Sequence, residues 1–208
     1  MQGHWDDTYN RKATDDVSWF EATPDNSLRL AQSCELSKGS KVIDVGGGSS
    51  LFGASMLKEG MEVTVLDISN VALEKGRARA GDSGAKIRWV SANVLDLECP
   101  DEAAAKFDLW HDRAAFHFLT TTIEQQQYVK RLLCCVKPAG WVLIATFSTD
   151  GGPKRCSGLE VKPWNASLLQ QLFGDSLKLV RSEIVKHETP WGSDQKFCYC
   201  LFQKNTLE

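Results

Sequence analysis

The chain has 208 residues, 42% hydrophobic and 25% charged, with a formal net charge of −3, which suits one domain with a sizeable core and excludes a disordered chain. Its acidity excludes a general basic field toward nucleic acid or an anionic membrane. No apolar run approaches the roughly 20 residues of a spanning helix, and Met1–Asp7 lacks the basic start and apolar stretch of a secretory signal, so a cytoplasmic protein with neither a leader nor nucleic-acid or membrane partners is expected.

Seven cysteines are an odd number without framework spacing. Cys134-Cys135 and Cys198/Cys200 fall in apolar segments, which predicts buried thiols in a reducing compartment rather than disulfides. Cys198-Tyr199-Cys200 in a strand turns both thiols to one face, but no histidine stands near them in sequence, and no metal is expected.

In chain order, an aromatic stretch comes first: His4-Trp5-Asp6-Asp7-Thr8-Tyr9 and Ser18-Trp19-Phe20, then Asp25-Asn26-Ser27-Leu28. It is either a lid or an N-terminal helix pinned to the core. From Lys41 short apolar strands alternate with helical stretches, the pattern of a mainly parallel sheet covered on both faces, so the fold class is α/β, doubly wound. Strands are predicted over 41–45, 62–66, 86–90, 107–110 and 140–147. Helices are predicted around 51–59, 70–80 and 122–136, the last stopped by Lys137-Pro138-Ala139-Gly140. After a loop at 148–153, a helix starts at Asn165 or Ser167 and runs through Phe173. Two strands near 177–187 and 195–203, joined by Thr189–Ser193, form a closing hairpin that ends the sheet antiparallel.

The most informative stretch is Val42-Ile43-Asp44-Val45-Gly46-Gly47-Gly48-Ser49-Ser50-Leu51, a strand running into glycines and a helix. Glycines permit a sharp turn and a close ligand approach, although such a turn also closes ordinary loops. A dinucleotide fingerprint requires a third glycine where Leu51 stands, and Asp44 at the strand end repels a pyrophosphate, so a nicotinamide or flavin dinucleotide is disfavoured. Asp44 suits a ligand ammonium or the loop amides, and S-adenosylmethionine carries an ammonium and no phosphate. Asp67 ends the second strand about twenty residues on, where a carboxylate accepts from both ribose hydroxyls; the alternative is an N-cap, a role that Ser69 or Asn70 also fits. Asn93, after the third strand, either meets an adenine amine through its carbonyl or forms a turn.

These motifs, with Phe107-Asp108-Leu109-Trp110, resemble the seven-stranded class I S-adenosylmethionine-dependent methyltransferases over about residues 38–147, and the closing hairpin is similar to the reversed last strand of that family. The resemblance implies a single domain with a seven-stranded sheet, divided into a cap or lid over 1–37, a cofactor core over 38–147 and an acceptor side over 148–208. It implies S-adenosyl-L-methionine as cofactor, held by Trp19, Asp44, Gly46, Gly47, Gly48, Asp67, Ile68, Asn93, Val94 and His111. Asn93 stands where members often carry Asp.

On the acceptor side, the aromatic N-terminal segment resembles the Trp-Asp-x-x-Tyr and Trp-Phe openings of lysine methyltransferases acting on elongation factor 1A. Asp112-Arg113-Ala114 instead resembles the Asp-Arg-Ala of thiopurine-type methyltransferases. Since methyl transfer is an in-line displacement, alignment supplies much of the acceleration and a base matters when the nucleophile arrives protonated. Asp112, His111 and His117 are the candidate catalytic groups and Arg113 the candidate substrate contact; alternatively Asp112 and Arg113 pair to order the loop while His117 packs. The acceptor is expected to be a protein lysine, with a small-molecule thiol or amine as one alternative and a noncatalytic cofactor-binding module as another.

Overall fold

The protein is described from a computed structural model over residues 1–98 and 106–206. Strands β1 (Lys41–Val45), β2 (Glu62–Asp67), β3 (Arg88–Ser91), β4 (Phe107–Arg113) and β5 (Val136–Phe147) are parallel neighbours. After a two-residue hairpin of β6 (Arg155–Cys156) and β7 (Leu159–Glu160), the chain adds β8 (Leu177–Glu188) and β9 (Asp194–Lys204). The large sheet has the order β3-β2-β1-β4-β5-β9-β8, with β9 antiparallel to both its neighbours. This is the expected seven-stranded sheet with a reversed last strand.

The strands form where apolar runs are buried on both faces, and period-two alternation assigns each side chain to a layer. Val42, Val65, Leu109 and Leu143 pack with Phe52 and Leu30 on one side; Ile43, Leu66, Trp110 and Ile144 pack with Tyr128 and Leu132 on the other. Helices α1 (Gln2–Arg11), α2 (Asp25–Gln32), α3 (Phe52–Lys58), α4 (Asn70–Ala80), α5 (Thr122–Cys135) and α6 (Ala166–Phe173) complete the layers. Strand order reverses at β1, so connections leaving β1 and β4 diverge and open a crevice at their carboxyl ends.

Some boundaries differ from expectation for local reasons. A 3₁₀ turn over Gly81–Lys86 takes up the predicted start of β3. Lys137–Gly140 does not stand between helix and strand but forms the irregular start of β5: Ala139 adopts φ 58° and the β4–β5 register slips between Phe107 and Leu109. β4 continues to Arg113, three residues beyond Trp110. Cys34, Cys135, Cys156, Cys198 and Cys200 are free and buried, and the thiols of Cys198 and Cys200 lie 3.6 Å apart. Among the described residues, no helix is long and apolar enough to cross a membrane.

Candidate active site

Two adjoining cavities occupy the crevice. One is largely apolar and encloses about 780 Å³, space open to solvent included; Trp5, Leu66, Asp67, Ile68, Val94 and Phe118 are among its walls. The other encloses about 480 Å³ on the same measure and is more polar, reached by Glu21, Asp44, Ser49, Arg79 and His111. Tyr9, Trp19, Gly46 and Arg113 line both.

The glycine loop is demanded by its neighbours. Gly46 has φ 65° and a Cβ there would stand 2.4 Å from Ala115 Cβ. At Gly47 a Cβ would meet Asp44 Oδ2 at 2.6 Å, and at Gly48 it would meet Asp67 Oδ2 and the Tyr9 hydroxyl, each at 3.0 Å. The glycines therefore let the loop lie directly against two carboxylates that reach the cavities.

Asp44 is buried, and its Oδ1 lies 2.7 Å from His111 Nδ1. Its Oδ2 is buried with no partner. The parallel register opposes Asp44 to His111 across β1 and β4, so both turn to the same layer. His111 stacks on Phe52 at 3.8 Å between ring centres, and its Nε2 lies 2.9 Å from Ser27 Oγ on α2.

Asp67 is buried, and its Oδ1 accepts from the Ser69 backbone N–H at 2.8 Å. The N-cap of α4 is Ser69, whose hydroxyl accepts from Ala72 N–H at 3.1 Å, so Asp67 is left to face the apolar cavity. Burial pushes its pKa up to about 7, against the stabilising Ser69 amide and with the Asp44 carboxylate adding to the rise.

Asn93 and Val94 line the apolar cavity. The Asn93 carbonyl, however, accepts from Leu95 N–H at 3.1 Å and caps a short 3₁₀ turn. The turn-forming reading describes its geometry.

Arg113 joins the cavities. Its Nε donates to the Tyr199 hydroxyl at 3.0 Å and its Nη1 to the Trp19 carbonyl at 2.8 Å. Nη2 stands 3.0 Å from Glu21 Oε1 but off the hydrogen-bond line, which makes this an ion pair without an aligned hydrogen bond. Burial raises the Glu21 pKa, against the opposing pull of Arg113. The alternative pairing of Asp112 with Arg113 does not form, because adjacent residues of a strand point to opposite faces.

Asp112 lies on the opposite layer, fully buried, and lines neither cavity. Its Oδ1 accepts from the backbone N–H groups of Ala115 and Phe116 at 3.2 and 3.0 Å, and its Oδ2 from the Tyr128 hydroxyl at 2.8 Å. Burial pushes its pKa up to about 6, opposed by those donors. His117 is likewise outside both cavities: its Nδ1 accepts from Phe147 N–H at 3.2 Å, its ring stacks on Phe147, and burial pushes its pKa down to about 3. Of the three candidate catalytic groups, only His111 reaches a cavity, and both its nitrogens have partners.

The N-terminal segment is both pinned to the core and placed over the cavities. Asp6 accepts from the Ser69 hydroxyl at 2.7 Å, and Lys75 donates to the carbonyls of Tyr9 and Lys12. Trp5 meets Trp19 and Phe118 edge-on with ring centres 5.8 and 4.9 Å apart. Residues Glu21 and Ala22 are held by Arg79, which donates to their carbonyls at 2.8 and 3.2 Å. Glu21, Ser27 and Arg79 had no signal in the sequence, since each reaches the site from an element whose docking only the fold supplies.

Residues 42–140 match a family model described as a methyltransferase domain. A ubiquinone biosynthesis O-methyltransferase of Klebsiella pneumoniae is 33% identical over 130 residues, 61% of this chain and 51% of that protein. The chain thus spans about half the length of the curated relatives it matches. Among solved structures, one described under conversion of a disulfide bond into a thioacetal group during echinomycin biosynthesis has a TM-score of 0.76 at 17% identity, covering 100% of this chain and 94% of that one. The N-methyltransferase NodS of Bradyrhizobium japonicum WM9, in complex with S-adenosyl-L-homocysteine, has a TM-score of 0.69 at 16% identity, covering 96% and 97%. Residues 42–140 are therefore similar to a methyltransferase domain, set in a chain that shares the fold of these solved structures.

Proposed function

We propose that the protein is an S-adenosylmethionine-dependent methyltransferase acting on a small-molecule acceptor. The observation that carries this reading is the division of one crevice into an apolar chamber with a buried carboxylate, Asp67, and a more polar chamber with an unpartnered carboxylate oxygen, Asp44 Oδ2. That division matches a cofactor with an adenosine end and an amino-acid end. Asp67 would accept from the ribose hydroxyls, Ile68 and Val94 would flank the base, and Asp44 Oδ2 would meet the ammonium. Arg79, already on the loop carbonyl of Ser49 at 2.9 Å, and Arg113 supply positive charge for the carboxylate. When bound, the cofactor supplies an electrophilic methyl group on a sulfonium.

The chain's own contribution is alignment and exclusion of water. Trp5, Tyr9 and Trp19 close the crevice from the N-terminal side, and Arg113, at the junction, is suited to orient an acceptor. Asp112 and His117 are assigned to holding the loop after β4, because their polar atoms are committed away from the cavities. The expected preference for a protein lysine finds no support: the curated relatives are named for ubiquinone biosynthesis, and a small-molecule acceptor fits a crevice covered by the chain's own aromatic segment.

Calorimetric titration with S-adenosylhomocysteine, followed by incubation with labelled S-adenosylmethionine and fractionated cell extract, tests both halves. Binding with label entering small molecules is the expected result. No binding overturns the cofactor assignment, and label confined to protein overturns the acceptor class.

A further inference from the structure

Three buried side chains that are distant in sequence form a chain of polar contacts that ends on the free carboxylate. Ser27 Oγ lies 2.9 Å from His111 Nε2, and His111 Nδ1 lies 2.7 Å from Asp44 Oδ1. The carboxylate end has a fixed role, since a carboxylate only accepts.

Asp44 Oδ1 therefore requires Nδ1–H on His111, and the contact of Nε2 with Ser27 Oγ holds the other edge of the ring. The chain uses one oxygen of Asp44 and leaves the other, Oδ2, buried and without a partner. Stacking on Phe52 holds the His111 ring in plane for both bonds.

We infer that Ser27 is a positioning residue for the amino-acid end of the cofactor: through His111 it holds Asp44 with Oδ2 presented to the ligand ammonium. Ser27 does not line the smaller cavity. The inference rests on the cofactor reading above and adds to it one residue.

The test compares two ligands that share an adenosine and a sulfur, S-adenosylhomocysteine and 5′-methylthioadenosine, of which only the first has the amino-acid end. Wild-type protein binds both if the cofactor reading holds; binding neither overturns that reading and this one together. Ser27→Ala should weaken S-adenosylhomocysteine about tenfold, the scale of one hydrogen bond to a charged group. Affinity for methylthioadenosine should stay within about twofold, which also certifies that each variant is folded. Because Ser27 acts through Asp44, adding Ser27→Ala to Asp44→Asn should cost less than about twofold more. Equal loss for the two ligands, unchanged affinity for both, or additive losses in the double variant each overturn the inference while leaving the cofactor reading standing.

Discussion

Asp67 is a carboxylate that burial has made reluctant to ionise, with a pKa near 7. A ribose hydroxyl donates best to the ionised form, so affinity for S-adenosylhomocysteine should fall as pH drops below about 7, by up to roughly tenfold per unit. Calorimetry from pH 5.5 to 8.5 measures the slope, and Asp67→Asn should flatten it. Asp67→Ala should weaken binding by roughly 10- to 150-fold, the scale of hydrogen bonds to a charged group. Asp112 belongs to the same scale but predicts another pattern. Asp112→Ala strands two backbone N–H groups and the Tyr128 hydroxyl in the core, at about 1–3 kcal/mol for each group left unpaired. A large drop in denaturation midpoint with an unchanged rate per folded molecule is expected, and a rate loss at constant stability would restore Asp112 to the chemistry.

At the scale of elements, α1 is a cover whose contacts divide by function. Tyr9 is buried against the glycine loop, where burial and the Asp67 charge keep its hydroxyl protonated. Trp5 is half-buried and packs on Trp19 and Phe118 above the apolar cavity. Trp5→Ala should therefore lower turnover and cofactor affinity more than it lowers the melting temperature, since it opens the crevice without emptying the core. Measuring both on one preparation decides the matter; parallel loss would make α1 packing alone. The capping box of α5, in which Thr121 and Glu124 exchange hydrogen bonds, places the start of that helix independently of the site.

For the whole molecule, cofactor binding and folding are linked. A ligand that binds only the folded chain stabilises it by RT ln(1 + [L]/Kd), about 2.7 kcal/mol at a hundredfold excess over Kd. Asp67 has a folded pKa raised above its unfolded value, so in the free protein its contribution is full at low pH and is lost as pH rises through 7. S-adenosylhomocysteine favours the ionised form and reverses that loss. The thermal shift it produces should be larger at pH 8 than at pH 6, and a shift independent of pH would separate Asp67 from the ligand.

Sequence alone determined the strands of the large sheet, the helices from α3 onward and the three glycines that follow Asp44 and Val45, because alternation and turn chemistry are local and survive in one dimension. Ser69 as the N-cap of α4 was legible for the same reason. The same alternation also carried an unread message: in a strand through Arg113, His111 and Arg113 share a face with each other and Asp112 does not. What only tertiary structure decided is which groups meet. Ser27, Glu21 and Arg79 reach the site from α2, a loop and α4, and their contacts with residues 30 to 92 positions away depend on how the layers dock. Docking is set by the summed burial of many apolar side chains rather than by any motif, so the polar partners it brings together leave no spacing in the sequence to be read.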